Sequence, residues 1–398
     1  MLKEKFVVTE KISQAIDILA EKDIDLWLIF VRESHSLPDP SLQLILGAHC
    51  TWQSAFIISA TGETIAIVGN LDAESIKATG AFQEVIPYKS SIRENLINTI
   101  QRLSPNSIAI NYSKNDYMSD GLTHGMYLLL MDYLKDTTFK DRLISSEAII
   151  SAVRGRKSAT ELEYLKQASD LTLKIFDKVT QFLRPGVSEK EVADFILNEV
   201  KIAGVEVSWD QATCPAVFTG PESAGAHFGP TDRVTERGHI MNIDFGVKVN
   251  GYCADLQRTW YFLKEDEDIA PIAVQNGFET IRDSIQEAAK ALKPGIEGWK
   301  VDQVARDYIV SRGFDEYPHA LGHQIGREAH DGAGVLCPVW ERYGELPFLK
   351  VEKGQVYTIE PRLTVEGYGI ATIEEEVVVT DDGCEFISTP QTDLILIK

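Results

Sequence analysis

"LRPGVSEKEVADFILNEVKIAGVE", residues 183–206, has a second version further along the chain, "LKPGIEGWKVDQVARDYIVSRGFD", residues 292–315. Pro185 aligns with Pro294, Gly186 with Gly295, Val192 with Val301 and Gly204 with Gly313, all at one offset of 109 positions (294 − 185). In both copies a helical pattern runs into the Pro-Gly pair and another runs out of it, as expected where these two residues punctuate helices. One offset shared by four landmarks implies a duplication: two similar α/β halves that can enclose a site between them.

Upstream of the first copy, Leu162, Leu165, Ala168, Leu171, Ile175, Val179 and Phe182 recur at helical spacing. Ser158 precedes Glu161 by three, the pattern of a capping box. Just before it, Arg154, Arg156 and Lys157 read as an exposed linker, so a domain boundary is expected there. The first 150 residues alternate helix and strand. Ile12, Ala15, Ile16 and Leu19 mark a helix and Leu26–Val31 a buried strand. "SAFIISATGETIAIVG" reads as two strands joined at Thr61-Gly62. A strand at 107–111 and a helix around 127–133 follow. This segment is expected to be a layered α/β domain. It contains neither GxGxxG nor GxxxxGK[ST], so nucleotide binding has no support. The expected class is α/β (α+β), with an N-terminal domain over 1–150 and a duplicated domain over 154–398.

Composition narrows the function. With 398 residues, two domains are favoured over one. A formal net charge of −21 opposes nucleic-acid binding, which needs clustered Lys and Arg, and attracts cations instead. The five cysteines are dispersed, odd in number and without CxxC, which predicts free thiols in a reducing compartment. The charged start lacks a signal-peptide core. No run approaches the roughly 18 apolar residues of a membrane span. A soluble cytoplasmic protein without membrane or nucleic-acid partners is expected.

The acids carry the chemistry. "HIMNIDFGVKVNGYCADLQRTWYF", residues 239–262, alternates like two strands around Asn250-Gly251, a strong type I′ hairpin signal. That turn pairs Val249 with Tyr252, so Asp244 faces Gln257 and Asp255 faces Gly246. Both aspartates then project from one face, a diagonal step apart. Buried together, they repel and lose hydration unless a cation lies between them. The plain alternative is two solvent-facing acids on an exposed sheet. Downstream, Glu360 follows an apolar strand in "VYTIEPRL", and Glu374 sits inside another in "GIATIEEEVVVT". Acids rarely interrupt apolar strands without a partner. Three of the eight histidines, His319, His323 and His330, crowd into the glycine-broken "PHALGHQIGREAHDG", residues 318–332. Each feature alone fits a surface residue; together they point to a metal site.

At this level the segment from Arg154 to Lys398 resembles the metallopeptidase family that includes aminopeptidase P, prolidase and methionine aminopeptidase. "NIDFGVKVNGYCADLQRT", "HALGHQIGREAH", "VYTIEP" and "TIEEEVVV" carry the resemblance. It implies the duplicated pita-bread fold, which agrees with the 109-residue offset. It also implies five metal ligands: Asp244, Asp255, His323, Glu360 and Glu374. Four carboxylates and a neutral imidazole suit two divalent ions, Mn²⁺ or Co²⁺ in preference to Zn²⁺ or Fe²⁺. By the same resemblance Glu360 is also the general base, and His227 in "SAGAHFGP" lies near the scissile peptide. His330 stabilises the tetrahedral intermediate, and His319 is a further active-site histidine. His35, His49, His124 and His239 are read as surface residues. The first 150 residues resemble the extra domain of creatinase, prolidase and aminopeptidase P.

The sequence departs from the family pattern at four positions. Thr372 stands where Arg often precedes the last ligand by two, and Arg362 where glycine follows Glu-Pro. Arg327 replaces an apolar residue, and Asp331 replaces Glu. The two arginines either bind a substrate carboxylate or pair with acids such as Glu366 or Glu328. The expected activity is hydrolysis of Xaa-Pro bonds in peptides. Two other classes on this fold are a creatinase-like metal-independent hydrolase and a non-catalytic binding protein. The intact ligand set argues against both. Relatives with the extra domain are commonly homodimers, so light scattering is expected to give twice the chain mass of 44.3 kDa. A value of one chain mass across a wide concentration range would refute this.

Overall fold

The computed structural model describes residues 2–222 and 228–398, and the side chains from Val7 onward. The chain divides into two compact units, Met1–Thr160 and Glu161–Lys398. No helix among the described residues is long and apolar enough to cross a membrane.

The first unit is built on a six-stranded mixed sheet. Its order is Glu84–Tyr88, Thr64–Gly69, Ser54–Ser59, Leu26–Val31, Ile108–Ile110 and Leu143–Ser145. Because side chains alternate across a strand, Leu26–Val31 feeds two cores. Trp27, Ile29 and Val31 pack with Ile12, Ala15 and Leu19 of the helix Leu2–Glu21 on one face. Leu26, Leu28 and Phe30 pack with Leu96 and Leu130 of the helices Arg93–Leu103 and His124–Leu134 on the other. The strands joined at Thr61-Gly62 form an antiparallel pair, with Gly62 at φ 94°.

The basic stretch expected as an exposed linker is not one. Arg154 ends the helix Glu147–Gly155 and is 1% exposed, and Lys157 is also buried. Both cations find backbone acceptors: Arg154 donates to the sequence-distant Pro40 O at 2.5 Å and Lys157 to Arg154 O at 2.7 Å. Arg156 forms a forked pair with Glu21 at 2.6 and 2.9 Å. Charge density in a sequence signals exposure only where no acceptor waits inside. Ser158 donates to Glu10 at 2.6 Å.

In the second unit the duplication is visible in the backbone. The helix pair Ala159–Phe182 and Glu189–Ala203 corresponds to Ile272–Ala291 and Gly298–Ser311. Gly186 and Gly295 turn at φ 87° and 85°, and each donates its N–H across the turn, to Thr235 O and Val351 O, both at 2.8 Å. Leu183, Val192 and Val200, with their counterparts Leu292, Val301 and Ile309, are all buried. The first pair covers a sheet ordered Ile395–Ile397, Leu256–Phe262, Ile240–Phe245, Ala216–Thr219. The second pair covers the strands Val356–Ile359, Arg362–Val365, Gly369–Thr372 and Glu375–Val379.

One buried ion pair ties the second half to the histidine stretch. Arg306 makes forked contacts of 2.9 Å to both carboxylate oxygens of Asp302. Arg306 also donates to Tyr317 O at 2.7 Å and His319 O at 3.0 Å, while Asp302 accepts from Leu321 N at 3.1 Å. Asp302→Ala leaves a guanidinium buried without its counter-charge, which costs about 3–5 kcal/mol. A fall of that size is expected in urea unfolding of the variant. A loss below about 1 kcal/mol would show that the pair is not holding the stretch.

Candidate metal centre

The hairpin sets the first two carboxylates. Asn250 and Gly251 have φ of 52° and 81°, as a type I′ turn requires, and Val249 pairs with Tyr252. Asp244 pairs with Gln257, the register read from the turn. A Cβ at Gly246 would meet Ala254 O at 1.7 Å, so only glycine lets the strand opposite Asp255 close. The histidine is set by a second close approach. A Cβ at Gly322 would meet Thr358 O at 1.9 Å, and His323 N donates to Thr358 Oγ1 at 3.2 Å. Glu360 follows the same strand, its N–H bonded to Leu321 O at 2.7 Å.

These segments bring the five expected ligands together. His323 Nε2 lies 3.4 Å from Glu360 Oε1 and 3.8 Å from Asp255 Oδ2. Ligand atoms of Asp255, His323 and Glu374 lie within 4.8 Å of one another. Gln257 links Glu360 and Glu374, donating at 3.2 and 2.9 Å. Asp244 Oδ1 and Glu374 Oε1 are buried without a hydrogen-bond partner. Two orphaned carboxylate oxygens in one acidic cluster are what a divalent cation satisfies, and oxygen donors with one imidazole suit such an ion. The donor set fits.

The electrostatics agree. Burial, then repulsion by Glu360, pushes Asp244 up to about 7. Burial and Glu374 hold Asp255 well above the usual carboxylate range, and burial and Glu360 do the same for Glu374. Glu360 is different: its burial is outweighed by the hydrogen bond and charge of His323, and its pKa is lowered. His323 is raised in turn, Glu360 overcoming its burial. His330 packs edge-on against His323, with ring centroids 4.2 Å apart. Burial lowers the pKa of His319, which keeps it neutral, and its Nδ1 lies 2.7 Å from Ala320 O. His227 lies outside the described residues.

Supporting groups without a role assigned from the sequence complete the site. Glu376 accepts from Asp255 N at 2.8 Å and from Ser169 Oγ. Glu375, on the opposite face of the strand, pairs with buried Arg258 at 3.1 Å. Thr372 donates to Gln257 Oε1 at 2.8 Å, so it braces the bridge between Glu360 and Glu374. Three successive acids in an apolar strand were the available signal for Glu375 and Glu376. Nothing local marks Gln257. Of the two unusual arginines, Arg327 lies over the Tyr252 ring at 5.2 Å. Lys248, not an arginine, pairs with Glu328, at 3.4 Å.

The raised carboxyls carry a pH signature. Asp244, Asp255 and Glu374 bind protons more tightly folded than unfolded, so their contribution is full below about pH 4 and is lost as pH rises through their raised pKa values, about 7 for Asp244. His323, also raised, acts in the same sense. Glu360, lowered, acts in the opposite sense, and its contribution is lost only as pH falls through its depressed pKa. The chelated protein is therefore expected to melt at a lower temperature at pH 7.5 than at pH 5. Mn²⁺ should raise Tm more at pH 7.5, where protons no longer compete for the carboxylates. A chelated Tm that is flat or rising over this window would contradict the charge balance.

Comparison with known proteins agrees with this geometry. Residues 163–381 match metallopeptidase family M24. An uncharacterized peptidase of Staphylococcus saprophyticus is 30% identical over 336 residues, 84% of this chain and 87% of that one. The X-Pro aminopeptidase of Thermotoga maritima superposes with a TM-score of 0.71 at 25% identity, over 97% of this chain and 99% of that one. An Xaa-Pro dipeptidase of Bacillus anthracis shares the fold, with a TM-score of 0.74 at 24% identity over 98% and 100% of the two chains. With its duplicated mixed α/β pita-bread fold and its acidic centre, the chain belongs to metallopeptidase family M24, whose peptidases use divalent metal ions.

Proposed function

We propose that the protein is a dinuclear metallo-exopeptidase that hydrolyses Xaa-Pro bonds, at peptide N-termini or in dipeptides. The observation that carries this reading is the convergence of Asp244, Asp255, His323, Glu360 and Glu374 with two buried carboxylate oxygens unpaired. Formal charge −4 on these five groups balances two dications. Bound there, two Mn²⁺ or Co²⁺ ions lower the pKa of water and polarise the scissile carbonyl. The first unit is read as the creatinase/prolidase-like domain, and the protein as a cytoplasmic homodimer. The similarity to the Thermotoga maritima X-Pro aminopeptidase over nearly the full chain supports the proline preference.

The residues divide the work by their charge states. By the family resemblance Glu360 is the base that takes a proton from the attacking water, and its contact with His323 favours its ionised form. His330, against His323, donates to the carbonyl oxygen as negative charge develops there. Neutral His319 lines the site without adding charge. His227 is assigned to the vicinity of the scissile peptide. Proline's tertiary amide has no N–H and its ring fixes φ. A site with an apolar wall and no acceptor facing that nitrogen accepts it and leaves other residues' N–H unpaired.

Under saturating Mn²⁺ or Co²⁺, Ala-Pro or Ala-Pro-Ala should show higher kcat/KM than the matching alanine peptides. His330→Ala should lower kcat by roughly 10²–10³-fold, more than it raises KM, the mark of an interaction made in the transition state. Equal or better kcat/KM for the alanine peptides would remove the proline assignment.

A further inference from the structure

Among the described residues, most buried and half-buried arginines of the second unit have an acid partner, but Arg327 and Arg362 do not. Arg258 is paired with Glu375 at 3.1 Å, Arg306 with Asp302 at 2.9 Å, and Arg233 reaches Glu189 at 3.6 Å. Arg362 is half-buried, and its side chain makes no hydrogen bond or ion pair among the described residues. The chain has 60 acidic against 39 basic residues, so acids to pair with are not scarce. Withdrawing a guanidinium from water without an acceptor is costly, because its five donors stay unmet. The Glu366 and Glu328 pairings considered from the sequence are not made, and Arg327 is engaged with Tyr252.

Its placement says what the donors face. In the strand Arg362–Val365, Leu363 and Val365 point into the helix-covered core, so Arg362 points the other way. It is paired directly across the strands with Thr372. Directly opposed residues share a face, and Thr372 on that face donates to Gln257, the residue that links Glu360 to Glu374. Arg362 is also close enough to His319 for its charge to help depress that imidazole. Arg362 therefore shares a strand face with the threonine that braces the Glu360–Glu374 link, on the side of His319.

We infer that Arg362 is a substrate-binding residue that receives a carboxylate on the leaving-group side of the scissile bond. A guanidinium fork matches a carboxylate in geometry and charge. The negative ligand cluster would otherwise repel an anionic substrate. The carboxylate has two sources, the C-terminus of a dipeptide or an acidic side chain in a longer peptide. This rests on the peptidase reading and adds the charge of the substrate to it.

The test uses the full-length metal-loaded protein, its Arg362→Met variant and its Arg362→Lys variant. Ala-Pro is compared with Ala-Pro-NH₂, and Ala-Pro-Glu-NH₂ with Ala-Pro-Gln-NH₂. In the unaltered protein the charged member of at least one pair should have about 10- to 100-fold higher kcat/KM, through KM. Preference within the first pair marks a terminal carboxylate, and within the second an acidic side chain. Arg362→Met should abolish the preference by lowering kcat/KM on the charged peptides more than on the neutral ones, and Arg362→Lys should restore part of it. Equal losses on charged and neutral peptides, or no charge preference at all, overturn the inference. Calorimetric binding of L-proline and L-prolinamide gives a readout independent of turnover. Tighter binding of proline that disappears in Arg362→Met supports the inference, and equal binding overturns it. Ala-Ala and Ala-Ala-NH₂ separate the two readings. A charge preference that persists there without proline preference removes the proline assignment and keeps Arg362. Proline preference without charge preference does the reverse.

Discussion

Four carboxylates held within one buried cluster repel one another, and most of the second unit is arranged to keep them there. The cost shows in the titration behaviour: three of the four carboxyls are driven upward by burial and by each other. The restraints are equally specific. Gln257 holds Glu360 and Glu374 from one amide, and Thr372 fixes that amide from its carbonyl side. Glu376 grips the backbone of Asp255 rather than its carboxylate, which leaves the carboxylate oxygens for a ligand. Arg258 neutralises Glu375 on the far face of the strand, so the middle acid of that run adds no net charge nearby. A cation completes the arrangement because it replaces protons the cluster must otherwise keep.

The duplication explains how so many donors reach one place. Each half contributes strands covered by its own helix pair, and the turns at Gly186 and Gly295 close in the same way. Asp244 and Asp255 come from the first half, on a hairpin. His323, Glu360 and Glu374 come from the second: His323 on the short strand Gly322–His323, Glu360 just after Val356–Ile359 and Glu374 just before Glu375–Val379. The donors are spread over rigid backbone, in a unit where Asn242 Nδ2 also ties the two halves by donating to Ile370 O at 3.1 Å. Rigid elements hold ligand geometry better than loops do.

What the sequence made legible was local or periodic. The repeat was visible because helix ends need Pro and Gly at fixed places. The Asp244–Gln257 register was visible because Asn-Gly permits one turn type, and that turn dictates every pair above it. The first sheet's strands at Leu26–Val31 and around Thr61-Gly62 were legible from apolar runs and a turn residue. Long-range pairings were not legible. Gln257 meets Glu374 across 117 positions and Asp255 meets Glu376 across 121, and no pattern in either segment names its partner. The same blindness produced the misreading of Arg154 and Lys157, whose acceptors are backbone carbonyls that carry no sequence signal. The five-donor set itself was reached through the resemblance, because acids in separate strands do not announce that they converge.

The surroundings of the centre divide by charge state in a way that bears on selectivity. One side is the acidic cluster, which attracts cations and repels anions. The histidine side is different: His319 is kept neutral by burial, and Arg362 and Arg306 both press its proton off. Arg306 has already spent its charge on Asp302, but Arg362 has not. A peptide with a free amino end and a negative group beyond the scissile bond matches this gradient from end to end. In the proposed binding mode its amine approaches the carboxylates, and its anion is received by Arg362. A peptide of reversed polarity meets like charge at both ends. The field alone thus orients the substrate before any pocket selects its side chains, since like-charge contacts cost more at an interior with few mobile waters than in bulk solvent.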